Sequence, residues 1–564
     1  MLKLKHSPFT SNTFNYILLI ILGFWFFVPF LGRVHLFDWD EANFAEAARE
    51  MIETGNFMQV TINYEPFWEK PPLFFWLQTL SMKCFGVNEF ASRLPNAIFG
   101  IFTLLLVYTI GKKIYDRKMG LLWAGVFLGS FLPHFFFKSG IMDPVFNFFI
   151  FLGYSLIAFA IYSQESAKKL FLYAGAGAAT GLAILTKGPV ALLVTVIALG
   201  VFWLFNRKDK PLRVRDIAVY TLAMCFAAGV FYATETIKNG TWFISEFLTY
   251  QIRLFKTGDA GHGRPFYFHF LIILFGCFPA SFFAIRSFYK RIEEKPLQKL
   301  YNQLMIILFL TVLILFSIVK TKTVLYSSLT YFPLTFLAAL HIHALLNGSL
   351  PWKKSLGIAC VTFSALIGLI ITIFPVLLYN KHWILPLIKD KFVASNLMRP
   401  VPWSGYEFLI GAIYLGLLMI SFILISRKRL KAGIISFFAS SALCLQIFML
   451  VFTPKIEAYT QSGPIEFYKE RADEDVYTRA LFKSYADLFY ARSRKTDTPQ
   501  SRDRNWLLTG PIDKPAYFVA RINQKKRYDD YNELTIIKEE FGFVYYKRDV
   551  PAADSSDTQQ EIIP

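Results

Sequence analysis

The stretch SLGIACVTFSALIGLIITIFPVLLY, residues 355–379, carries no charged side chain and decides the fold class. About 20 consecutive apolar residues are enough for a helix to cross a bilayer, so this stretch predicts a membrane-spanning helix. Comparable stretches recur from Tyr16 to about Phe452. Of the 564 residues, 55% are hydrophobic and only 18% are charged, whereas soluble domains carry about 25% charged residues. The sequence therefore predicts an integral membrane protein that crosses the bilayer many times.

Thirteen apolar segments predict an all-α polytopic membrane protein with about 13 transmembrane helices. The predicted spans are residues 14–34, 94–111, 119–137, 144–162, 169–186, 188–206, 216–234, 265–286, 302–319, 324–346, 355–379, 405–426 and 432–453. Charged residues are nearly absent from their interiors, whereas transporters and channels commonly place ionisable residues near the bilayer midplane. Residues 1–453 are thus the predicted transmembrane domain.

The loops between the spans predict the orientation of the chain. With the N-terminus inside, the cytoplasmic loops include residues 112–118, 206–216, 286–299 and 426–431, and all four are strongly basic. This is the distribution that the positive-inside rule describes. It accounts for the net charge of +19 without nucleic acid, so no nucleic-acid partner is predicted. An odd number of spans then places the C-terminus outside.

The first outer loop, about residues 35–93, is too long to be a simple turn. It predicts an amphipathic helix over about 40–54, ended by Gly55, and a second helical stretch from Pro71. Their Trp, Phe and Tyr content is typical of helices that lie in the membrane interface.

The composition changes after the last span, where the chain becomes polar and charged. Residues 454–550 predict a small C-terminal α/β domain, since strand-like runs stand at 506–510, 516–522 and 543–547. Residues 551–564 are a predicted disordered tail.

The segment FDWDEANFAEAAREM, residues 37–51, holds the first candidate site residues, Asp40 and Glu41. They lie where the first span leaves the membrane, and a carboxylate there could bind an acceptor or act as a general base. The alternative is helix capping, with Asp38 as N-cap and Glu41 as its capping-box partner. Capping accounts for Asp38 and Glu41 better than for Asp40.

The segment FWEKPPLFFWLQ, residues 67–78, supplies Glu69 and Lys70 just before a pair of prolines. A lysine held at the membrane interface suits a phosphate partner, because its ammonium acts as a point charge. The alternative is a snorkelling lysine that pairs with the neighbouring glutamate.

Further polar residues stand in predicted outer turns. Asp143 belongs to GIMDP, where N-capping of the next helix is the alternative, and Lys187 belongs to TKGP. His262 and Arg264 in HGRPF could bind a metal or a phosphate, although a single histidine is weak support for a metal site. The segment KTKTVLY adds Tyr326 together with Lys320 and Lys322. Basic residues on the outer face oppose the positive-inside trend, so they predict a bound anion, for which a lipid phosphate is the simplest candidate.

The order of these motifs resembles a known family. The first motif consists of Asp40, Glu41, Glu46, Arg49 and Glu50. It is followed by EKPPLFFWLQ, RLPNAIFG (93–100), MDP, TKGP and HGRPFYF. This order resembles bacterial C-type glycosyltransferases of the protein O-mannosyltransferase superfamily, in particular their lipid A 4-amino-4-deoxy-L-arabinose transferase branch. The resemblance covers about residues 37–335. Asn43 and Phe44 stand where many relatives carry Arg-Tyr or a similar pair, which leaves the acceptor and the sugar open.

The resemblance implies an inverting enzyme that takes its sugar from a polyprenyl-phosphate donor. The acceptor would be lipid A, a protein Ser or Thr, or another glycan, and membrane lipids would surround the chain. The site and the C-terminal domain would face the periplasm from a bacterial cytoplasmic membrane. A lipid-linked-sugar flippase or glycan polymerase is the alternative function.

The resemblance also assigns roles to residues of this sequence. The residues that would bind the donor phosphate are Lys70, Arg264, Tyr326 and Lys187. Asp40, Glu41 and Asp143 would be catalytic, and Asp40 would bind or activate the acceptor. Glu69 and His262 are the candidate ligands of a divalent metal ion, and no organic cofactor is expected.

Overall fold

The computed structural model describes residues 12–209, 213–257, 263–288, 294–495 and 498–551. The helices of the membrane domain are α1 Asn12–Phe27, α2 Asp40–Thr54, α3 Leu73–Phe85, α4 Glu89–Ile114, α5 Arg117–Leu128, α6 Phe131–Phe136, α7 Asp143–Tyr162, α8 Ser166–Lys187, α9 Val190–Asn206, α10 Val214–Asn239, α11 Trp242–Lys256, α12 Phe268–Gly276, α13 Ala280–Ala284, α14 Pro296–Ile318, α15 Tyr331–Leu346, α16 Lys354–Tyr379, α17 Lys391–Met398, α18 Phe408–Ser426 and α19 Leu430–Thr460. A 3₁₀ helix, Val324–Thr330, leads directly into α15. Every predicted span falls on helical segments, so the polytopic helical fold is confirmed.

The count of about 13 spans is not confirmed. Within the described residues, nine helices are long and apolar enough to cross a membrane, or ten if a bent pair is counted as one span. The bent pair is α12 and residues 280–288, which meet at an angle of 104°, where the sequence predicted one span over 265–286. The predicted span 119–137 is likewise divided, between α5 and α6, and α1 and α9 are apolar but shorter.

Close packing of α8 against α10 fixes the position of the outer end of α8. A Cβ atom on Gly177 of α8 would lie 2.1 Å from the Tyr220 carbonyl oxygen of α10. Small residues allow membrane helices to approach this closely, because dispersion contacts then replace lipid contacts. The last residue of α8 is Lys187, so this packing also places a candidate site residue.

The first outer loop contains the two predicted helices, α2 and α3, with the short hairpin of β1 Thr61–Ile62 and β2 Glu65–Pro66 between them. Gly55 ends α2 with a φ of 68°, a left-handed conformation that favours glycine. The predicted capping box is wrong, because Trp39 occupies the N-cap of α2 without a side-chain capping bond. Residues 41–51 of α2 are all buried, since the C-terminal domain covers one face of the helix and the membrane domain covers another.

The C-terminal domain is built on a four-stranded sheet with the order β3-β4-β6-β5. Its strands are β3 Tyr477–Ala480, β4 Ala516–Arg521, β5 Thr535–Glu540 and β6 Phe543–Arg548, and its helices are α20 Ser462–Lys469, α21 Ala486–Tyr490 and α22 Arg504–Thr509. β3 and β4 are parallel, and the other pairs are antiparallel. The predicted strands at 516–522 and 543–547 are therefore confirmed.

Two other features of this domain differ from the sequence predictions. The predicted strand at 506–510 is wrong, because Asp503 accepts a hydrogen bond from the Asn505 N–H and starts α22 there. The predicted boundary at 453/454 falls inside α19, which continues through Pro454 to Thr460. Most of the predicted tail, residues 552–564, lies outside the described part of the chain.

The C-terminal domain is fastened to the first outer loop by apolar and polar contacts. Ala42, Ala45 and Ala48 of α2 share a buried cluster with residues of the domain, among them Ile465 and Tyr468. The small alanine side chains let the domain approach the α2 backbone closely.

Polar bonds lie beside this apolar cluster. The Ser493 carbonyl accepts from Arg49 Nη2 at 2.6 Å and from the Tyr64 hydroxyl at 2.8 Å. Arg479 Nη2 donates to Asn63 Oδ1 at 3.0 Å. These contacts therefore hold the C-terminal domain over α2.

Candidate functional site

One cavity of about 960 Å³ lies between the first outer loop, the outer ends of the membrane helices and the C-terminal domain. Seven of the nine predicted site residues line it, namely Asp40, Glu41, Glu69, Lys70, Asp143, Lys187 and Tyr326. They come from five separate segments of the chain. Arg264 is exposed and is not among the described residues of the cavity wall, and His262 lies outside the described residues.

Asp143 and Lys187 form an ion pair on one wall of the cavity. Lys187 Nζ donates to Asp143 Oδ1 at 2.5 Å and lies 5.3 Å from the centre of the Tyr326 ring. Asp143 is the first residue of α7, with Met142 at the N-cap, so the capping alternative for Asp143 is wrong. The C-terminal end of a helix favours a cation, which suits Lys187 at the end of α8.

Lys70 lies on the same side of the cavity as this pair. Its side chain is 15% exposed, and Nζ lies 4.0 Å from Glu69 Oε2 and 4.9 Å from the centre of the Tyr250 ring. Burial lowers the pKa of Lys70; Glu69 opposes this shift, and the positive charge of Lys187 reinforces it. Two cations that act on each other in a partly dry cavity favour an anion between them.

A second, smaller cavity joins the first at these cations. Both cavities are lined by Lys70, Asp143, Lys187 and Tyr326. The remaining wall of the second cavity is mainly apolar and includes Phe146, Val190, Val194, Phe316 and Leu329. The cations therefore stand where a large cavity of mixed polarity meets a small apolar one.

Glu41 holds the first outer loop in place. Its carboxylate receives Arg93 Nη2 at 2.6 Å and Arg93 Nε at 3.0 Å, together with the backbone N–H groups of Phe37 and Gly140. Burial raises the pKa of Glu41, but the Arg93 guanidinium outweighs burial and keeps this pKa below its usual range. With both oxygens engaged, Glu41 is suited to positioning the loop. Its predicted catalytic role stays a prediction.

Asp40, by contrast, is exposed to the cavity. It is the first residue of α2 and lies beside Glu41 on the cavity wall. Its negative charge acts on Lys70 on one side and on Asp38 and Tyr485 on the other. Asp40 is therefore placed between the membrane-helix wall and the wall formed by the C-terminal domain.

Several cavity residues escaped the sequence analysis, including Lys138, Tyr250, Arg253, Lys483 and Tyr485. Lys138 is buried, and its Nζ donates to the Phe26 carbonyl at 2.9 Å and to Gln446 Oε1 at 3.0 Å. Lys138 could have been found from the sequence, because it is a single lysine at the end of an apolar segment. Lys483 could not have been found in this way, because only the docking of the C-terminal domain brings it to the cavity.

The predicted metal site is not assembled by the part of the chain that the structure describes. No group of three His, Cys, Asp or Glu side chains there is arranged to hold a metal ion. Glu69 instead faces Lys70, and its predicted partner His262 is outside the described residues. The ligand roles of Glu69 and His262 stay predictions, and no step of the chemistry below is routed through a metal.

Known proteins with similar sequences support the predicted resemblance. Residues 69–233 match the family described as dolichyl-phosphate-mannose-protein mannosyltransferase. An undecaprenyl phosphate-alpha-4-amino-4-deoxy-L-arabinose arabinosyl transferase of Shewanella sediminis is 25% identical over 502 residues, 88% of this chain and 86% of that protein. The protein of the same name from Wigglesworthia glossinidia brevipalpis is 26% identical, over 67% of this chain and 66% of that protein, just under two thirds of its length.

A solved structure shares the fold. The crystal structure of ArnT from Cupriavidus metallidurans bound to undecaprenyl phosphate superimposes with a TM-score of 0.75. The match covers 95% of this chain and 98% of that one, at 14% identity. The resemblance predicted from the motifs, and the fold that it implied, are confirmed.

Proposed function

We propose that this chain is a glycosyltransferase that moves a sugar from a polyprenyl-phosphate donor to lipid A at the outer face of the membrane. The observation that carries the proposal is the larger cavity, which exposed Asp40 lines together with the cations Lys70 and Lys187 and in which the charge of Asp40 acts on Lys70. The curated relatives, whose names describe transfer of 4-amino-4-deoxy-L-arabinose from an undecaprenyl phosphate carrier, support the same donor class.

The surroundings of the cations suit the head of such a donor. A polyprenyl phosphate has an apolar chain and an anionic head, and the smaller cavity, of about 60 Å³, gives an apolar wall to the carbons next to the phosphate. With the phosphate between Lys70 and Lys187, the sugar extends into the larger chamber beside Asp40. An ammonium pairs with a phosphate more strongly where water is excluded, which is the setting of Lys70.

The proposed reaction is a direct displacement that inverts the anomeric carbon. An oxygen of the acceptor phosphate forms a bond to this carbon, and the bond from the carbon to the donor phosphate oxygen breaks. The polyprenyl phosphate leaves with the electron pair of that bond, and Lys70 and Lys187 stabilise the charge that develops on it. A phosphate acceptor is already anionic, so Asp40 has only to orient it; a Ser or Thr hydroxyl would require Asp40 as a base.

The proposed orientation places the cavity and the C-terminal domain in the periplasm. It is supported by the four strongly basic loops on the opposite side of the chain and by the position of the cavity at the ends of the helices away from those loops. Nucleotide sugars are cytoplasmic, so a site on this face suits a donor carried by the membrane, such as a polyprenyl-phosphate sugar.

The test is to reconstitute the purified protein with radiolabelled polyprenyl-phosphate sugars and cell-envelope extract, and to follow the label. We expect label from the aminoarabinose donor in lipid A, with strong losses in Asp40→Asn and Lys70→Ala and none in the exposed controls Asp530→Asn and Lys391→Ala. Full activity of both site variants would show that the site is wrong. Label in protein would replace the proposed acceptor, and movement of the lipid without sugar transfer would favour a flippase.

A further inference from the structure

The C-terminal domain contributes a wall of the larger cavity through the loop that follows β3. Lys483 and Tyr485 of this loop line the cavity together with the start of α2. Nothing in the proposed donor site requires a cation on this wall, because Lys70 and Lys187 already lie at the junction with the apolar cavity.

The loop is fixed at both ends, so the position of Lys483 is well defined. At its start, the Leu481 N–H donates to the Val519 carbonyl at 2.8 Å and the Leu481 carbonyl accepts from the Tyr528 hydroxyl at 3.2 Å. At its end, the Tyr485 N–H donates to Asp38 Oδ1 at 3.1 Å.

Lys483 is held directly against the first outer loop. Its Nζ lies 2.9 Å from the centre of the Trp39 ring, and Trp39 immediately precedes Asp40. An ammonium over a tryptophan face keeps its positive charge while its position becomes fixed. The carboxylates of Asp38 and Asp40 line the same part of the cavity, so Lys483 lies in a mixed-charge wall.

The cavity therefore has cations on two walls, with Asp40 acting electrostatically toward both. The charge of Asp40 acts on Lys70 and also on Tyr485 of the Lys483 loop, and Glu69 beside Lys70 acts on Tyr485 as well, so the two walls face one space. In a displacement with inversion, the acceptor approaches the anomeric carbon from the side opposite the leaving phosphate. With the leaving phosphate held by Lys70 and Lys187, Lys483 is the cation that the C-terminal domain offers to an acceptor in the same cavity.

We propose that Lys483 binds the anionic group of the acceptor, a lipid-borne phosphate, and holds it opposite the donor phosphate. This assignment rests on the proposed function. It gives the C-terminal domain a part in acceptor selection, since a phosphate gains from the Lys483 charge and a neutral hydroxyl does not. The competing role for Lys483 is purely structural, as a contact that docks the domain on Trp39.

Steady-state kinetics of reconstituted enzyme separate these roles. Lys483→Ala is expected to raise the KM for lipid A about 10-fold or more, the usual effect of losing a charge-assisted hydrogen bond, while the donor KM stays unchanged. Lys483→Arg should restore much of the acceptor affinity, because it restores the positive charge. Lys526→Ala, an exposed lysine of the same domain, is the matched control and should resemble the wild type.

Three results would overturn the assignment. These are an unchanged acceptor KM in Lys483→Ala, an equal rise in the donor KM, and a loss of thermal stability that accounts for the whole effect and is shared by Lys483→Arg. Binding of lipid A micelles, measured in the absence of donor, shows whether a negative result concerns the acceptor assignment or the proposed function. A wild type that binds lipid A through Lys483 but transfers no sugar would overturn the transferase proposal and leave the acceptor assignment standing.

Discussion

At the scale of single residues, the two acids at the start of α2 have opposite surroundings. Asp40 is exposed to the cavity, while Glu41 is buried in a bidentate pair with Arg93. Removing one partner of a buried ion pair costs about 3–5 kcal/mol, because the other charge is left without compensation. Exposed substitutions usually change stability by less than about 0.5 kcal/mol.

We therefore expect Glu41→Ala to lower the thermal stability of the purified protein strongly and Asp40→Asn to leave it nearly unchanged. Activity should fall in both variants, but only Glu41→Ala should lose it through unfolding. Thermal unfolding in detergent, followed by intrinsic fluorescence, measures the difference. Equal stability of the two variants would contradict the positioning role of Glu41.

The lowered pKa of Lys70 predicts a pH dependence for donor binding. Because burial lowers this pKa, Lys70 loses its proton at a lower pH than an exposed lysine. We expect the KM for the donor to rise as the pH becomes alkaline, since the uncharged amine no longer pairs with the phosphate. In Lys70→Arg the side chain stays charged, so the profile should be flat over the same range. An identical alkaline rise in Lys70→Arg would assign it to another group.

At the scale of secondary-structure elements, close packing against α10 holds α8, the helix whose last residue is Lys187. Gly177→Ala would force a Cβ against the Tyr220 carbonyl, and overpacking of this kind costs about 1–3 kcal/mol. We expect lower stability and reduced transfer in Gly177→Ala. Gly200→Ala in α9, where a Cβ meets nothing within 4 Å, is the matched control. Equal behaviour of the two variants in a melting and transfer assay would contradict the close-packing argument.

The stability of the contact between α2 and the β1–β2 hairpin should depend on pH through Glu50. This side chain is buried, and its Oε2 accepts from Thr61 Oγ1 at 2.6 Å and from the Tyr64 N–H at 3.0 Å. Burial and, to a smaller extent, the nearby Glu46 carboxylate together raise the pKa of Glu50 to about 8. The folded protein therefore binds this proton more tightly than the unfolded chain does.

A raised carboxyl pKa makes stability fall as the pH rises from the unfolded value toward about 8, and the loss is complete above it. We expect the wild type to melt at a lower temperature at pH 8.5 than at pH 6. Glu50→Gln, which is neutral throughout, should reduce this difference. A pH profile identical to that of the wild type would show that Glu50 is not the responsible group.

At the scale of the whole molecule, the site is assembled from segments far apart in the sequence. The motifs of the first outer loop and of the turns at Asp143 and Lys187 were readable, because charged residues are conspicuous beside apolar spans. Their meeting in one cavity was predictable only through the family resemblance. Lys483 was not predictable, since it reaches Trp39 only after the C-terminal domain has docked on α2.

The apolar segments were enough to predict a polytopic helical fold, but they did not predict how many spans it contains. Hydropathy cannot show that the chain bends by 104° between α12 and residues 280–288, or that it breaks between α5 and α6. The misassigned strand at 506–510 has a similar origin, because an apolar run this short fits a helix as well as a strand, and the Asp503 cap decides for the helix.

The central claim is that Lys70 and Lys187 hold the phosphate of a polyprenyl-phosphate donor where the two cavities meet. Its most direct test is the affinity of the purified protein for undecaprenyl phosphate, measured for the wild type, Lys70→Ala, Lys187→Ala and the control Lys391→Ala. We predict that each site variant raises the Kd by about 10-fold or more, while the control matches the wild type. Unchanged affinity in both site variants would contradict the account.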